Sequence, residues 1–289
     1  MTADATEEIM IDYSTLFVYN DGLDQLPEGA FKISPSGVER FFSDKTTWYR
    51  ENLLGEAKKF TGSTSTVLGT CIHAAAEVVA NAKMSSTSHD SEALAGVIEE
   101  YISTYDGDEE YDTQTIRDLW RNMAEPMIKE YVLPANTIAT EDFILHEILD
   151  GIYVGGTYDA ITSTIPNDDL YNPVGRLTVR DYKSASSKPT SFNWAYTLQA
   201  YTYAYILHQK GIKVSEVELV YTIRPTKSKP NEYRTMNFTK PFDNHAYEMI
   251  EGILKLIAES VQCFKDWPDM QYLLACDYRL KKNDIPRNV

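Results

Sequence analysis

From Val67 to Val79 the apolar residues Val67, Leu68, Cys71, Ile72, Ala75, Ala76 and Val79 recur at steps of three and four, the period of one buried helix face. His73 lies at the margin of that stripe. Two more helical stripes follow, Leu94-Val97-Ile98-Tyr101-Ile102-Tyr105 and Ile116-Leu119-Trp120-Met123-Met127, with a kink expected at Pro126. Ahead of them, Ser36-Gly37-Val38-Glu39 has the form of a capping box and predicts a helix with Val38, Phe41 and Phe42 turned inward. The chain up to about residue 130 is therefore expected to be mainly helical.

The period then changes to two. Phe143, Leu145, Glu147 and Leu149 alternate with Ile144, His146 and Ile148, and Asp150-Gly151 ends the run as a hairpin turn. A return strand from Ile152 to Thr162 carries Asp159. After a polar loop at 166–175, Leu177 to Lys183 forms another strand. A Tyr- and Leu-rich helix from Phe192 to Gln209 stops at Gly211, a strand runs from Val217 to Ile223, and residues Tyr233 to Phe238 are expected to pair with it. A last amphipathic helix spans Asp243 to Val261. Together these predict an α/β fold: a central mixed β-sheet flanked by helices, with a mainly helical N-terminal portion.

Its 289 residues, 43% of them apolar, suffice for a sizeable core. The expected organisation is an acidic N-terminal segment, 1–33, and a single domain, 34–289, in which 84–131 forms a helical insertion or arch over a cleft. No run of eighteen apolar residues and no signal peptide is found, so no membrane partner and a cytoplasmic location are expected. Cys71, Cys263 and Cys276 form no C-x-x-C and read as reduced thiols. The net charge is −16, yet residues 1–30 hold seven acids and residues 84–116 nine, with no Lys or Arg in either stretch. The rest of the chain is balanced. A basic groove for nucleic acid is compatible with that distribution, whereas tight nonspecific coating of duplex is not favoured.

The candidate chemistry is carried by His73, Glu147, Asp159, Asp181-Tyr182-Lys183, Gln199 and Tyr203. Asp181 and Lys183 stand two apart on one strand and share a face. Two carboxylates about 4 Å apart repel by about 4 kcal/mol at an effective dielectric near 20, so Glu147, Asp159 and Asp181 gathered together call for a cation beyond the one Lys183 supplies. Oxygen ligands suit Mg²⁺ or Mn²⁺, and His73 would tilt the preference towards Mn²⁺. Such a site suits phosphodiester hydrolysis.

In its order this set resembles the PD-(D/E)XK nuclease superfamily and, within it, the RecB-like exonuclease branch, over roughly residues 34 to 225. Gly69-Thr70-Cys71-Ile72-His73 is similar to the family's G-x-x-x-H helix, Gly156-Thr157-Tyr158-Asp159 to its G-x-x-D strand, and Asp181-Tyr182-Lys183 to its D-x-K. Gln199-Ala200-Tyr201-Thr202-Tyr203 matches the branch's Q-x-x-x-Y, and Glu147 stands where relatives carry an upstream glutamate. The resemblance implies a restriction-endonuclease-like core. It implies catalytic Asp159, Asp181 and Lys183; metal ligands His73, Glu147, Asp159, Asp181 and the carbonyl of Tyr182; and Gln199, Tyr203 and Ser36 as DNA-binding or supporting residues. Members with an iron–sulfur cluster place one cysteine early and three late. Here Asp44 lies near the early position and only Cys263 and Cys276 are late, so no cluster is expected.

The function so implied is a metal-dependent DNA exonuclease acting on single strands or free ends in replication, recombination or repair, phage-encoded or cellular. No G-x-x-x-x-G-K-[ST] motor motif occurs, so any helicase, polymerase or single-strand-binding protein would be a separate partner. Trp48 and Tyr49 beside Arg50 offer either base stacking or core burial. Competing readings are an endonuclease of the same fold, a non-catalytic nucleic-acid-binding module, and a structural ion site in another hydrolase. The last lacks both G-x-S-x-G and H-E-x-x-H. Each residue also has an ordinary reading taken singly: a satisfied helix histidine, a solvated strand glutamate, aromatic core packing around Gln199 and Tyr203.

Overall fold

The computed structural model describes residues 13, 15–17, 22–55 and 62–266. Its strands are β1 (Phe31–Ile33), β2 (Asn136–Thr140), β3 (Phe143–Leu149), β4 (Ile152–Thr157), β5 (Ala160–Ser163), β6 (Leu177–Ala185), β7 (Val214–Ile223) and β8 (Arg234–Pro241). Among the described residues, seven α-helices flank them: α1 (Gly37–Ser43), α2 (Lys45–Asn52), α3 (Thr64–Met84), α4 (Ser91–Ser103), α5 (Thr113–Met127), α6 (Trp194–Gln209) and α7 (Asn244–Asp266). The fold is mixed α/β and agrees with a restriction-endonuclease-like core. The strands form two mixed sheets, in the orders β1-β4-β3 and β2-β5-β6-β7-β8.

The division comes from a bend in one ribbon. Residues 136–163 form a long antiparallel hairpin, β2 continuing into β3 and β4 into β5, with β3 on β4 and β2 on β5. At the bend, Glu141 N–H donates to Asp159 O (3.3 Å) and Tyr158 N–H to Asp142 O (3.4 Å), so the ribbon stays hydrogen-bonded while its outer neighbours change. One half joins β1; the other joins β6. The segment Ile152–Thr162, expected as one strand, is therefore broken at Tyr158-Asp159. Glu141 takes φ 49°, a left-handed conformation that is costly for a residue with a Cβ, and the Tyr158 hydroxyl braces the corner by donating to Asp142 Oδ2 (2.8 Å).

Alternation along β6 and β7 sorts the core into two layers. Leu177 and Val179 with Val217, Leu219, Tyr221 and Ile223 belong to the apolar layer that also holds α6 and α7. Tyr182 and Val220 join Ala160 in the other, with α3, α4 and α5. Thr222 anchors that second side by donating to Met123 O (2.7 Å). The segment 84–131 is thus packed along α3, with Ile98, Ile102 and Ile116 fully buried. Trp48 and Tyr49 are buried in the first layer, which gives their core reading.

Two local expectations change. Ser36 makes no side-chain capping bond, because the chain enters α1 through a turn closed by Gly37 N–H to Ser34 O (2.9 Å), and Phe42 is 49% exposed. Beyond Pro126, α5 ends at Met127 and passes into a wide turn closed by Leu133 N–H to Ile128 O (2.9 Å). Cys71 is buried and Cys263 exposed, whereas Cys276 and the basic tail lie outside the described residues. No helix among the described residues is long and apolar enough to cross a membrane.

Candidate active site

Asp181 and Lys183 emerge on the α6 face of β6, as two-residue spacing requires, and Lys183 Nζ stands 2.7 Å from Asp181 Oδ2. The ammonium also donates to Gln199 Oε1 (3.4 Å) and lies 4.8 Å above the Tyr196 ring. One turn on from Gln199, Tyr203 is buried on the same helix. A Cβ at Gly156 would come within 2.9 Å of the Pro35 ring while meeting Tyr203 at an ordinary 3.5 Å, so glycine here lets β4 pack closely against Pro35.

The opposite wall comes from the bend. β5 begins at Ala160, opposite Arg180, so from Asp181 onward β6 has no strand neighbour on that side among the described residues. The Tyr182 N–H, left without a ladder partner, is taken by Asp159 Oδ2 (2.6 Å). Because the N–H and C=O of one strand residue point to the same side, the Tyr182 carbonyl faces the same gap. His73 Nδ1, from α3, lies 3.5 Å from Asp159 Oδ2. Glu141 completes the group: ligand atoms of His73, Glu141 and Asp159 all lie within 4.8 Å of one another. The site opens into a cleft of about 850 Å³ whose lining includes Phe17, Gly69, Glu77, Tyr101, Lys183 and Ser184.

Charge crowding governs the protonation states. Burial, reinforced by Asp159, Glu77 and Asp181, pushes the Glu141 carboxyl up to about 10. Burial and then Asp159 push Glu77 to about 7. Burial raises Asp181 to about 6 against the pull of Lys183. For Asp159, burial is outweighed by His73 and Lys183, and its carboxyl is held below the usual range. Burial likewise opposes the charged forms of His73 and Lys183, but Asp159 raises the first and Asp181 the second.

The oxygens of Asp181 are buried and, among the described residues, accept no hydrogen bond beyond the ion pair to Lys183. Orphaned carboxylate oxygens beside a second carboxylate group and an imidazole are the donor set a hard divalent cation satisfies. The residues fit such an ion. Asp181 lies outside the tight His73–Glu141–Asp159 group, but near enough for the charges of Asp159 and His73 to act on it.

Glu147 is not at this site. It is exposed on β3, in the other sheet, where it accepts from Gly151 N–H (3.0 Å) and closes the hairpin turn. Glu141 holds the place expected for it. Ser36 is exposed and outside the cleft lining. Glu77, one helical turn beyond His73, also faces the cleft. Trp194, the first residue of α6, is 51% exposed.

A sequence model described as the PD-(D/E)XK nuclease superfamily matches residues 32–278. No curated protein matches the chain. Among solved structures, a protein of Eubacterium rectale provisionally named an exonuclease is 14% identical, with a TM-score of 0.48, over 88% of this chain and 86% of its own. An alkaline exonuclease from Laribacter hongkongensis is 11% identical, with a TM-score of 0.36, over 85% of this chain and 95% of its own. The superfamily is one of divalent-metal-dependent nucleases, in keeping with the donor set in the cleft, and with the match covering most of its length the chain belongs to the PD-(D/E)XK nuclease superfamily.

Proposed function

We propose that this protein hydrolyses DNA phosphodiesters from a free end, preferring single strands, with Mg²⁺ or Mn²⁺ held by His73, Glu141, Asp159 and Asp181 and by the carbonyl of Tyr182. The observation that carries the reading is the convergence of the Lys183–Asp181 ion pair with the His73–Glu141–Asp159 group on the floor of one open cleft. When bound, such an ion polarises a phosphoryl oxygen and lowers the pKa of a coordinated water. Lys183 does the rest of the electrostatic work. Asp181 keeps it protonated, so it serves as a fixed positive charge beside the phosphate and orients the attacking water; it does not act as a base. Gln199 restrains that ammonium, which makes it a positioning residue, with buried Tyr203 one turn on supporting the same helix face.

The preference for ends follows from the Q-x-x-x-Y pattern, and the preference for single strands from the acidic segment 84–116 that flanks the cleft through Tyr101. Such an enzyme serves replication, recombination or repair alongside a separate helicase, polymerase or single-strand-binding protein. The test is incubation of end-labelled linear and circular single strands and duplexes with Mg²⁺, Mn²⁺ or EDTA, with Asp181→Asn and Lys183→Ala as controls. Loss of linear single strands, sparing of circles and silence in EDTA are expected. Cutting of circles would make the enzyme an endonuclease, and binding without cleavage in any metal would reduce it to a binding module.

A further inference from the structure

Beside the catalytic cleft lies a second cavity of about 360 Å³, which shares Ser65, Ser184 and Tyr196 with it. The two differ in charge. Glu77 and Glu141 line the first, whereas no acidic residue lines the second, whose walls carry Ser186, Ser187, Asn193, Tyr221 and Arg224. Arg224 follows the last residue of β7, and its backbone N–H donates to Ala185 O (2.9 Å), which ties it to the end of β6. Its guanidinium donates to Ser65 Oγ (3.0 Å), its one side-chain hydrogen bond among the described residues, and no carboxylate among them is paired with it. Burial alone perturbs it, lowering its pKa, with no neighbouring charge contributing.

A half-buried guanidinium has five N–H donors in a planar fork, and here most of them are unspent and face hydroxyls. An arginine that only held the fold would be matched by an acid, as Arg180 is by Glu218 (2.7 Å) on the other face of the same sheet. A small tetrahedral oxyanion, bound by the fork and by serine hydroxyls, is the ligand that supplies the missing charge. Lys183 and Ala185 are two residues apart on β6, about 6.6 Å of strand, which is the scale of one nucleotide step from the catalytic ammonium.

We propose that this side cavity binds a phosphate of the substrate strand adjacent to the one being cut, with Arg224 as its anchoring cation. The proposal rests on the nuclease reading only for naming nucleic acid as the source of the phosphate. That phosphate is either an internal diester or a terminal monoester.

Direct binding decides it independently of catalysis. Fluorescence anisotropy with a short labelled oligothymidylate is measured on Asp181→Asn protein carrying Arg224, Arg224→Gln or Arg224→Lys, each checked for an unchanged thermal melt. Arg224→Gln is expected to weaken binding by roughly 10- to 100-fold, the scale of lost charge-assisted hydrogen bonds. The slope of log affinity against log salt should shrink by about 0.7, one phosphate contact on a single strand. Arg224→Lys should restore the slope but only part of the affinity, since it keeps the charge and loses the fork. A loss confined to 5′- or 3′-phosphorylated oligonucleotides identifies a terminal phosphate; a loss shared by unphosphorylated ones identifies an internal diester. Equal affinity and equal salt slope in all three proteins, with every oligonucleotide, overturns the proposal. Failure of wild-type protein to cleave any DNA would overturn the nuclease reading and leave this binding result standing on its own.

Discussion

Glu77, Glu141, Asp159 and Asp181 share the cleft with one ammonium and one imidazole, so without a cation the carboxyls compete for protons. Glu141 shows the consequence most strongly, since it holds its proton up to about 10 in the fold but releases it near 4.3 in an unfolded chain. Between those limits the native state binds the extra proton, and stability of the metal-free protein is expected to fall as pH rises across that window. A cation must displace the same proton, so the rise in Tm on adding Mn²⁺ should be larger at about pH 9 than at about pH 6. Thermal melts with EDTA or Mn²⁺ at both values check the sign. Glu141→Gln imitates the protonated form: it should leave the metal-free melt near neutrality little altered, remove the larger share of both pH trends while leaving the share of Glu77 and Asp181, and weaken metal binding by roughly 10- to 100-fold or more. Glu147→Gln, at a hairpin turn, should change neither cleavage nor the metal-induced shift. Equal loss in the two variants would sink the assignment of Glu141. The two glutamates also show what strand patterns withhold. They stand six residues apart with the same parity, so alternation cannot separate them, although about 20 Å of extended chain lies between. Asp181, Lys183 and His73 were legible because their spacing fixes a face on a single element, and Asp159 because Gly156-Thr157-Tyr158-Asp159 is similar to the family's G-x-x-D; Glu141 depends on where the ribbon turns.

The turn of that ribbon is the element-scale device that builds the site. By beginning β5 only at Ala160 it uncovers the Tyr182 backbone, and by bending at 141–142 and 158–159 it delivers one acid from each side of the ribbon to the uncovered edge. Neither Gly nor Pro marks the corner, and Glu141 itself adopts φ 49°, so no residue in the sequence announces the break. The helices were easier to read, since α3, α4 and α5 each bury one stripe, and Gly211 stops the chain soon after α6 even though that helix is buried along Leu198–Leu207. Tyr158 is the brace to test. Its ring is 1% exposed and its hydroxyl reaches Asp142 across the corner. Tyr158→Phe should cost about 1 kcal/mol of stability, the worth of one hydrogen bond, and weaken Mn²⁺ binding by loosening Glu141 and Asp159 together. Calorimetric titration alongside denaturant unfolding separates the two effects. Unchanged metal affinity at reduced stability would mean that the corner holds its shape without the brace.

At the scale of the molecule, the −16 charge has to be reconciled with a polyanionic substrate. The cleft wall supplies the means. Phe17 stacks on Tyr101 at 4.0 Å, and both line the cleft, so the acidic α4 segment borders the path a strand takes to Lys183. Charge on that border repels any nucleic acid but repels duplex more, because both strands contribute phosphates to each step. Within the segment, Glu100, Asp108 and Glu109 are exposed and bear no part of the core. Converting them to Gln, Asn and Gln should leave the fold intact and raise kcat/KM for both substrates at low salt, with the larger gain for duplex ends. Discrimination in favour of single strands should therefore narrow. At about 1 M salt, where charges separated by more than about 3 Å are screened, the variant and the wild type should converge. Cleavage rates of matched single-stranded and duplex oligonucleotides across a salt series give the answer. Discrimination that survives neutralisation at low salt would shift its origin from charge to the shape of the cleft, where the Phe17–Tyr101 wall limits the width available to a second strand.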